Sequence, residues 1–93
     1  MNNPAAHLAL ARAIIEYHER TQHGDLNEAI ASARKANELW PDSVEPSLWE
    51  GIAQALAGRN AKARVALNSF LSQARNSPAA LKNKAEKYLQ QLP

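Results

Sequence analysis

Residues 24–43, GDLNEAIASARKANELWPDS, and residues 58–77, GRNAKARVALNSFLSQARNS, both open on glycine and close on Asp or Asn followed by serine. Both glycines and both serines stand 34 residues apart. A fixed period of this length is the mark of one supersecondary unit used more than once, because it accommodates two helices and the turn between them. Each glycine then marks the turn between a first and a second helix. The constraint is severe: a two-helix unit cannot bury its own apolar stripe, so the copies have to stack on one another.

Local signals agree with five helices. Asn3 before Pro4 predicts an N-cap with proline at the first helical position, and Leu10, Ala13, Ile14 and Tyr17 follow at helical spacing, so a first helix is expected over about 4–21 with Gly24 as its left-handed stop. Asp25 with Glu28 reads as a capping box, and Leu26, Ala29, Ile30, Ala33, Ala36 and Trp40 form the stripe of a second helix over about 26–39, ended by Pro41. Leu48, Ile52, Ala55 and Leu56 line a third helix, capped by Ser43 or Glu45 and stopped at Gly58. Asn60 is the expected cap of a fourth, with stripe Ala63, Ala66, Leu67, Phe70, Leu71 and Ala74. Ser77 and Pro78 begin a fifth, with Leu81, Ala85, Tyr88, Leu89 and Leu92 as its apolar face. Short connections make neighbours antiparallel. The first helices share triplets at i, i+4, i+7: Leu10, Ile14, Tyr17; Leu48, Ile52, Ala55; and Leu81, Ala85, Tyr88.

Composition sets the bounds of function. Ninety-three residues suffice for one core and one domain. Hydrophobic residues make up 45% of the chain but aromatics only 5%, with alanine prominent, which favours close-packed helices over a sheet and gives an all-α expectation. The chain has no cysteine, so thiolate metal sites and cysteine nucleophiles are excluded. The N-terminal stretch has no basic start and no uninterrupted apolar run, which predicts neither a signal peptide nor a membrane span and makes the cytoplasm the expected location. The net charge of +2 conceals a dipole: residues 1–58 hold four basic and eight acidic side chains, net −4, and residues 59–93 hold seven basic and one acidic, net +6.

The pattern resembles the tetratricopeptide repeat family. Gly24 and Asp25 match its turn glycine and acidic residue, Ala29 and Ala63 its first small residue in the second helix, Ala36 its second, and Pro41 its closing proline. Leu81, Ala85 and Tyr88 match its large apolar, small and aromatic positions in a first helix. The chain departs where the first helix runs three residues long before Gly24, where the third lacks an aromatic, where Ile14 stands for a smaller residue, and where Phe70 and Arg75 replace alanine and proline. The resemblance implies antiparallel hairpins stacked as a short right-handed superhelix of five helices: one repeat over about 4–41, a second over about 44–76 and a capping helix over about 78–92. It also implies a non-catalytic module that holds a peptide or helical segment of a partner protein in a concave groove, as an adaptor, assembly factor or chaperone.

Candidate contacts follow from that alignment. Ile14, His18, Leu48, Ile52, Lys82 and Glu86 are expected near the groove floor, although for Ile14, Leu48 and Ile52 a place in the core is the favoured reading. Trp49 lies off the main stripe, so partial exposure and an anchoring role are expected of it, tryptophan being enriched among residues that dominate interface energy. Trp40 beside Pro41 is expected to plug the junction between repeats. Two alternatives come from charge and length. The basic series Arg59, Lys62, Arg64, Arg75, Lys82, Lys84 and Lys87 could meet phosphates of a nucleic acid, but it has no interleaved aromatics and a solvated face explains it more simply. An array this short could also self-associate as a homo-oligomer, the acidic half of one copy meeting the basic half of another. His7, His18 and His23 lack the i, i+4 spacing of a metal-binding pair, and no nucleophile elbow, phosphate loop or zinc helix is present, so no metal, cofactor or catalytic residue is expected.

Overall fold

Helix ends sit where backbone chemistry puts them. The computed structural model describes residues 3–93, and its elements are α1 (Pro4–Thr21), α2 (Leu26–Leu39), α3 (Glu45–Leu56), α4 (Asn60–Gln73) and α5 (Ala79–Gln91), with no strand among the described residues. The Asn3 side chain accepts from the Ala5 amide at 2.9 Å, and the Asp25 carboxylate accepts from the Glu28 amide at 3.1 Å, so the first two helices start on the caps that the sequence indicates. The remaining starts differ. Val44, Arg59 and Pro78 occupy the N-cap positions of α3, α4 and α5 without a side-chain hydrogen bond, and Asn60, expected as a cap, is already helical. The left-handed residue that ends α1 is Gln22 (φ 64), two positions before Gly24. Gly24 (φ 118) and Gly58 (φ 80) then carry the chain through the two hairpin turns in backbone conformations that L side chains rarely adopt. At the second turn the amides of Gly58 and Arg59 donate to the carbonyls of Ala55 (3.1 Å) and Gln54 (2.9 Å), the paired bonds of a Schellman ending.

Two hairpins, α1–α2 and α3–α4, stack with α5 added at one end, and α3 touches all four other helices. That position explains its burial: Pro46, Leu48, Trp49, Gly51, Ile52, Ala53 and Gln54 are all buried, far more than one amphipathic stripe. The core adds Leu8, Ala11 and Ile15 from α1, Ala29, Ile30, Ala33 and Ala36 from α2, Ala63, Leu67, Phe70 and Ala74 from the second hairpin, and Ala85 from α5. Alanine on α2 permits close helix contact, so a small chain buries its surface with few large side chains.

The α3–α4 crossing is closest at Gly51. A methyl group there would lie 2.7 Å from both Cγ and Cδ2 of Leu67 and 3.1 Å from its backbone nitrogen, so only glycine fits without displacement. Gly51 stands 34 residues before Ala85, the small buried residue of α5. The repeat therefore aligns Gly51 with Ala85, one residue away from the Leu48, Ile52, Ala55 triplet.

Two expectations about packing are corrected. The buried face of α1 is Leu8, Ala11 and Ile15; Leu10 and Tyr17 are 43% and 47% exposed, Ala13 is exposed, and only Ile14 of that series is partly covered. Both sets have helical spacing, and α1, at the end of the stack, has helices against one side only. Trp40 does not plug the junction between repeats but is 46% exposed, because the chain leaves helical geometry at that residue (φ −139, ψ 68) and turns its indole outward.

Candidate partner-binding face

The first helices α1, α3 and α5 lie side by side, α3 in the middle. Helices in contact have axes about 8–10 Å apart, so α1 and α5 would be about twice that distance apart in a flat row. Lys84 of α5 reaches the Glu19 carboxylate of α1 at 3.2 Å, and the Tyr88 hydroxyl donates to the other oxygen of Glu19. Lys84 passes over the face of the Trp49 indole on α3, 5.7 Å from its centroid, which adds a cation–π attraction to the ion pair. Side chains of the two outer helices thus clasp each other across the middle one. Burial, and then the hydrogen bond and charge of Glu19, push the Tyr88 phenol well above its ordinary range, so Tyr88 stays protonated and remains a donor.

Beside the clasp the C-terminal turns of the three first helices enclose a depression of about 370 Å³, lined by His18, Glu19, Gln22, Leu56, Lys87, Tyr88 and Gln91. Its polar groups are largely uncommitted. The His18 side chain is half-buried and, among the described residues, its buried Nδ1 has no hydrogen-bond partner and the side chains of Gln22, Lys87 and Gln91 make no hydrogen bond or ion pair. A larger cleft of about 470 Å³ lies on the opposite side, between α2 and α4 over α3, lined by Arg34, Ser47, Glu50, Ala61, Lys62, Val65, Ala66 and Ser69. Size alone would favour it. Its lining is mostly short side chains, and its two long polar ones on α2 and α3 already satisfy each other, Arg34 pairing with Glu50 at 3.2 Å. Among the described residues the cleft leaves Lys62 and Ser47 without a side-chain partner, against His18, Gln22, Lys87 and Gln91 in the depression at the ends of α1, α3 and α5, which holds the larger set of unspent groups.

Of the candidates read from sequence, only His18 lines this depression. Leu48 and Ile52 are fully buried and Trp49 is 3% exposed with its indole N–H unpartnered, so all three are core residues beneath the face, and the partial exposure expected of Trp49 is corrected. Ile14 is half-buried against the α1–α2 turn, where its Cγ2 lies 3.6 Å from the position a side chain at Gly24 would take. Lys82 donates to the Arg75 carbonyl at 3.3 Å and Glu86 is exposed. Each is two residues from Lys84, hence on nearly the opposite side of α5, so Lys84, Lys87 and Tyr88 are the groups that α5 presents to the face. Glu19 was invisible as a site residue because its partners are 65 and 69 positions away.

Stacked helical hairpins with a row of first helices on one face define a helical-repeat protein. A family model of the tetratricopeptide repeat matches residues 20–86, well over half of the chain, and the chain belongs to that family. Tetratricopeptide repeats are, as a class, protein–protein interaction modules without catalytic chemistry. No curated protein and no solved structure matches the chain. Among the described residues no helix is long and apolar enough to cross a membrane, and no three metal-ligating side chains converge.

Proposed function

We propose that this chain is a cytoplasmic adaptor, assembly factor or chaperone that holds a segment of a partner protein on the curved face of α1, α3 and α5. Its units are a first repeat at about 4–41, a second at about 44–76 and a capping helix at about 78–92. The reading requires no cofactor, metal or catalysis. One observation carries it: the three first helices end together around a depression in which His18 Nδ1 and the side chains of Gln22, Lys87 and Gln91 have no partner among the described residues, with apolar Leu56 among them. A polar side chain or chain end of the partner enters there, while Glu19, Lys84 and Tyr88 clasp across the face and Leu48, Trp49 and Ile52 support it from beneath. Ile14, Lys82 and Glu86 lie outside the contact.

The nucleic-acid alternative is weakened by how the basic side chains are used. Arg59 donates to Asn27 at 2.9 Å, Arg64 to the Pro93 carbonyl at 2.9 Å, Lys82 to the Arg75 carbonyl and Lys84 to Glu19, so four of the seven are engaged within the chain. The test is affinity capture from the source cells with quantitative mass spectrometry, comparing wild type with Gln22→Ala/Lys87→Glu and with the opposite-face variant Lys62→Glu. A protein lost with the first variant and kept with the second supports the reading. One kept with the first and lost with the second moves the site to the α2–α4 cleft, and capture of nucleic acid that weakens steeply with salt replaces the reading altogether.

A further inference from the structure

We propose that the outer edge of α1 is a self-association surface, on which two copies of this chain pack α1 against α1 about a two-fold axis. Single exposed apolar residues are ordinary on a protein surface, but these form one stripe. Leu10 and Tyr17 are 43% and 47% exposed, Ala6 and Ala13 are exposed, and Ile14 is half-covered. The two ends of the stack differ in this respect. At the far end α5 shows Asn83, Glu86 and Gln90 to water, a polar outer face. Within the stack α3 and α5 are each packed against the second helix of the unit before, α2 and α4, and on α1 the corresponding side is open.

A second copy meets this edge by a two-fold and not head to tail. Head-to-tail stacking would set the α1 stripe against the polar face of α5 and desolvate Asn83, Glu86 and Gln90 against apolar side chains. A two-fold sets the stripe against itself, as an isologous contact requires. Positions 10, 13, 14 and 17 read with the same spacing in both directions, so antiparallel pairing places Leu10 opposite Tyr17 and small Ala13 opposite larger Ile14. Charge does not oppose it: α1 carries Arg12, Arg20, Glu16 and Glu19, net zero. The surface is separate from the face of α1, α3 and α5, so the dimer and the proposed partner site stand or fall independently.

Sedimentation velocity on the purified chain over a wide concentration range tests the proposal, with Leu10→Lys and Tyr17→Lys as variants and circular dichroism to confirm that each stays helical. Because the chain has no cysteine, Ala13→Cys gives a direct geometric readout: two helices packed about the proposed axis bring this position within the roughly 7 Å Cα separation that a disulfide spans. The expected result is a mass that doubles with concentration in wild type, stays single in either lysine variant, and is locked at the dimer by oxidation of Ala13→Cys but not of Gln90→Cys on α5. A wild-type chain that remains single at every concentration overturns the proposal, as does a dimer that survives both lysine variants.

Discussion

Replacing Gly51 by alanine probes the α3–α4 crossing most sharply. In an exposed helix interior this change would gain about 1 kcal/mol, since alanine is the better helix former. Here the new methyl would sit 2.7 Å from Cγ and Cδ2 of Leu67, and Leu67 is fully buried. A second contact at 3.1 Å is to the Leu67 backbone nitrogen, so a rotamer change alone cannot relieve the clash and the helices have to part. Overpacking of this kind costs about 1–3 kcal/mol, which offsets or exceeds the propensity gain, and a net loss of up to roughly 2 kcal/mol is expected. Urea denaturation followed by circular dichroism measures it, and each 1 kcal/mol corresponds to roughly 4–8 °C in the melting temperature of a domain this small. The double variant separates the two terms. Leu67→Ala alone loses about 2–5 kcal/mol through its cavity, but in that background only the 3.1 Å backbone contact still opposes the new methyl, so Gly51→Ala should cost clearly less than it does with Leu67 intact. If Gly51→Ala raises stability with Leu67 intact, the close crossing does not exist.

Three further outcomes follow. Trp49→Ala should destabilise by about 3–5 kcal/mol, whereas Trp49→Phe, which also removes the unpartnered buried N–H, should cost much less; a stable Trp49→Ala protein in thermal melts would return the indole to the surface. Glu19→Gln should lower stability by roughly 1 kcal/mol, the modest value appropriate to an ion pair whose side chains are 29% and 24% exposed, and an unchanged urea midpoint would mean that the clasp contributes nothing. The phenol of Tyr88 is raised from its ordinary value of 10.0, so the folded chain holds this proton while the unfolded chain releases it, and stability must fall as pH rises through about 10. Tyr88→Phe removes that component, so denaturation midpoints compared at neutral pH and above pH of about 10 should fall less in the variant than in wild type; equal falls would refute the Glu19–Tyr88 contact.

The elements themselves were legible because their signals are local. Asn3 with Pro4, Asp25 with Glu28, and two glycines in hairpin turns sit within a few residues of the backbone groups they serve, and the limits of α1 and α2 follow from them. Facing was less legible. The apolar series of α1 containing Leu10 and Tyr17 is as regular as the one containing Leu8 and Ile15, and only the position of α3 decides which is buried. Trp49 was misjudged for a related reason, since a helix with neighbours all round buries residues that a single-stripe reading assigns to solvent. On α5 an error of two residues separates Lys82 from Lys84, and helical geometry turns it into opposite sides. The clasp had no sequence signal at all, because an acid on the first helix and a base on the last are brought together only by the packing of both helices on α3.

Amide chemical-shift mapping of the isotopically labelled chain, titrated with the segment of the captured partner, tests the proposed face most directly. The account predicts that perturbations concentrate at Gln22, Leu56, Lys87 and Gln91 and spread to Glu19 and Tyr88. Perturbations confined to Arg34, Lys62, Val65 and Ser69 on the other side of the stack would contradict it.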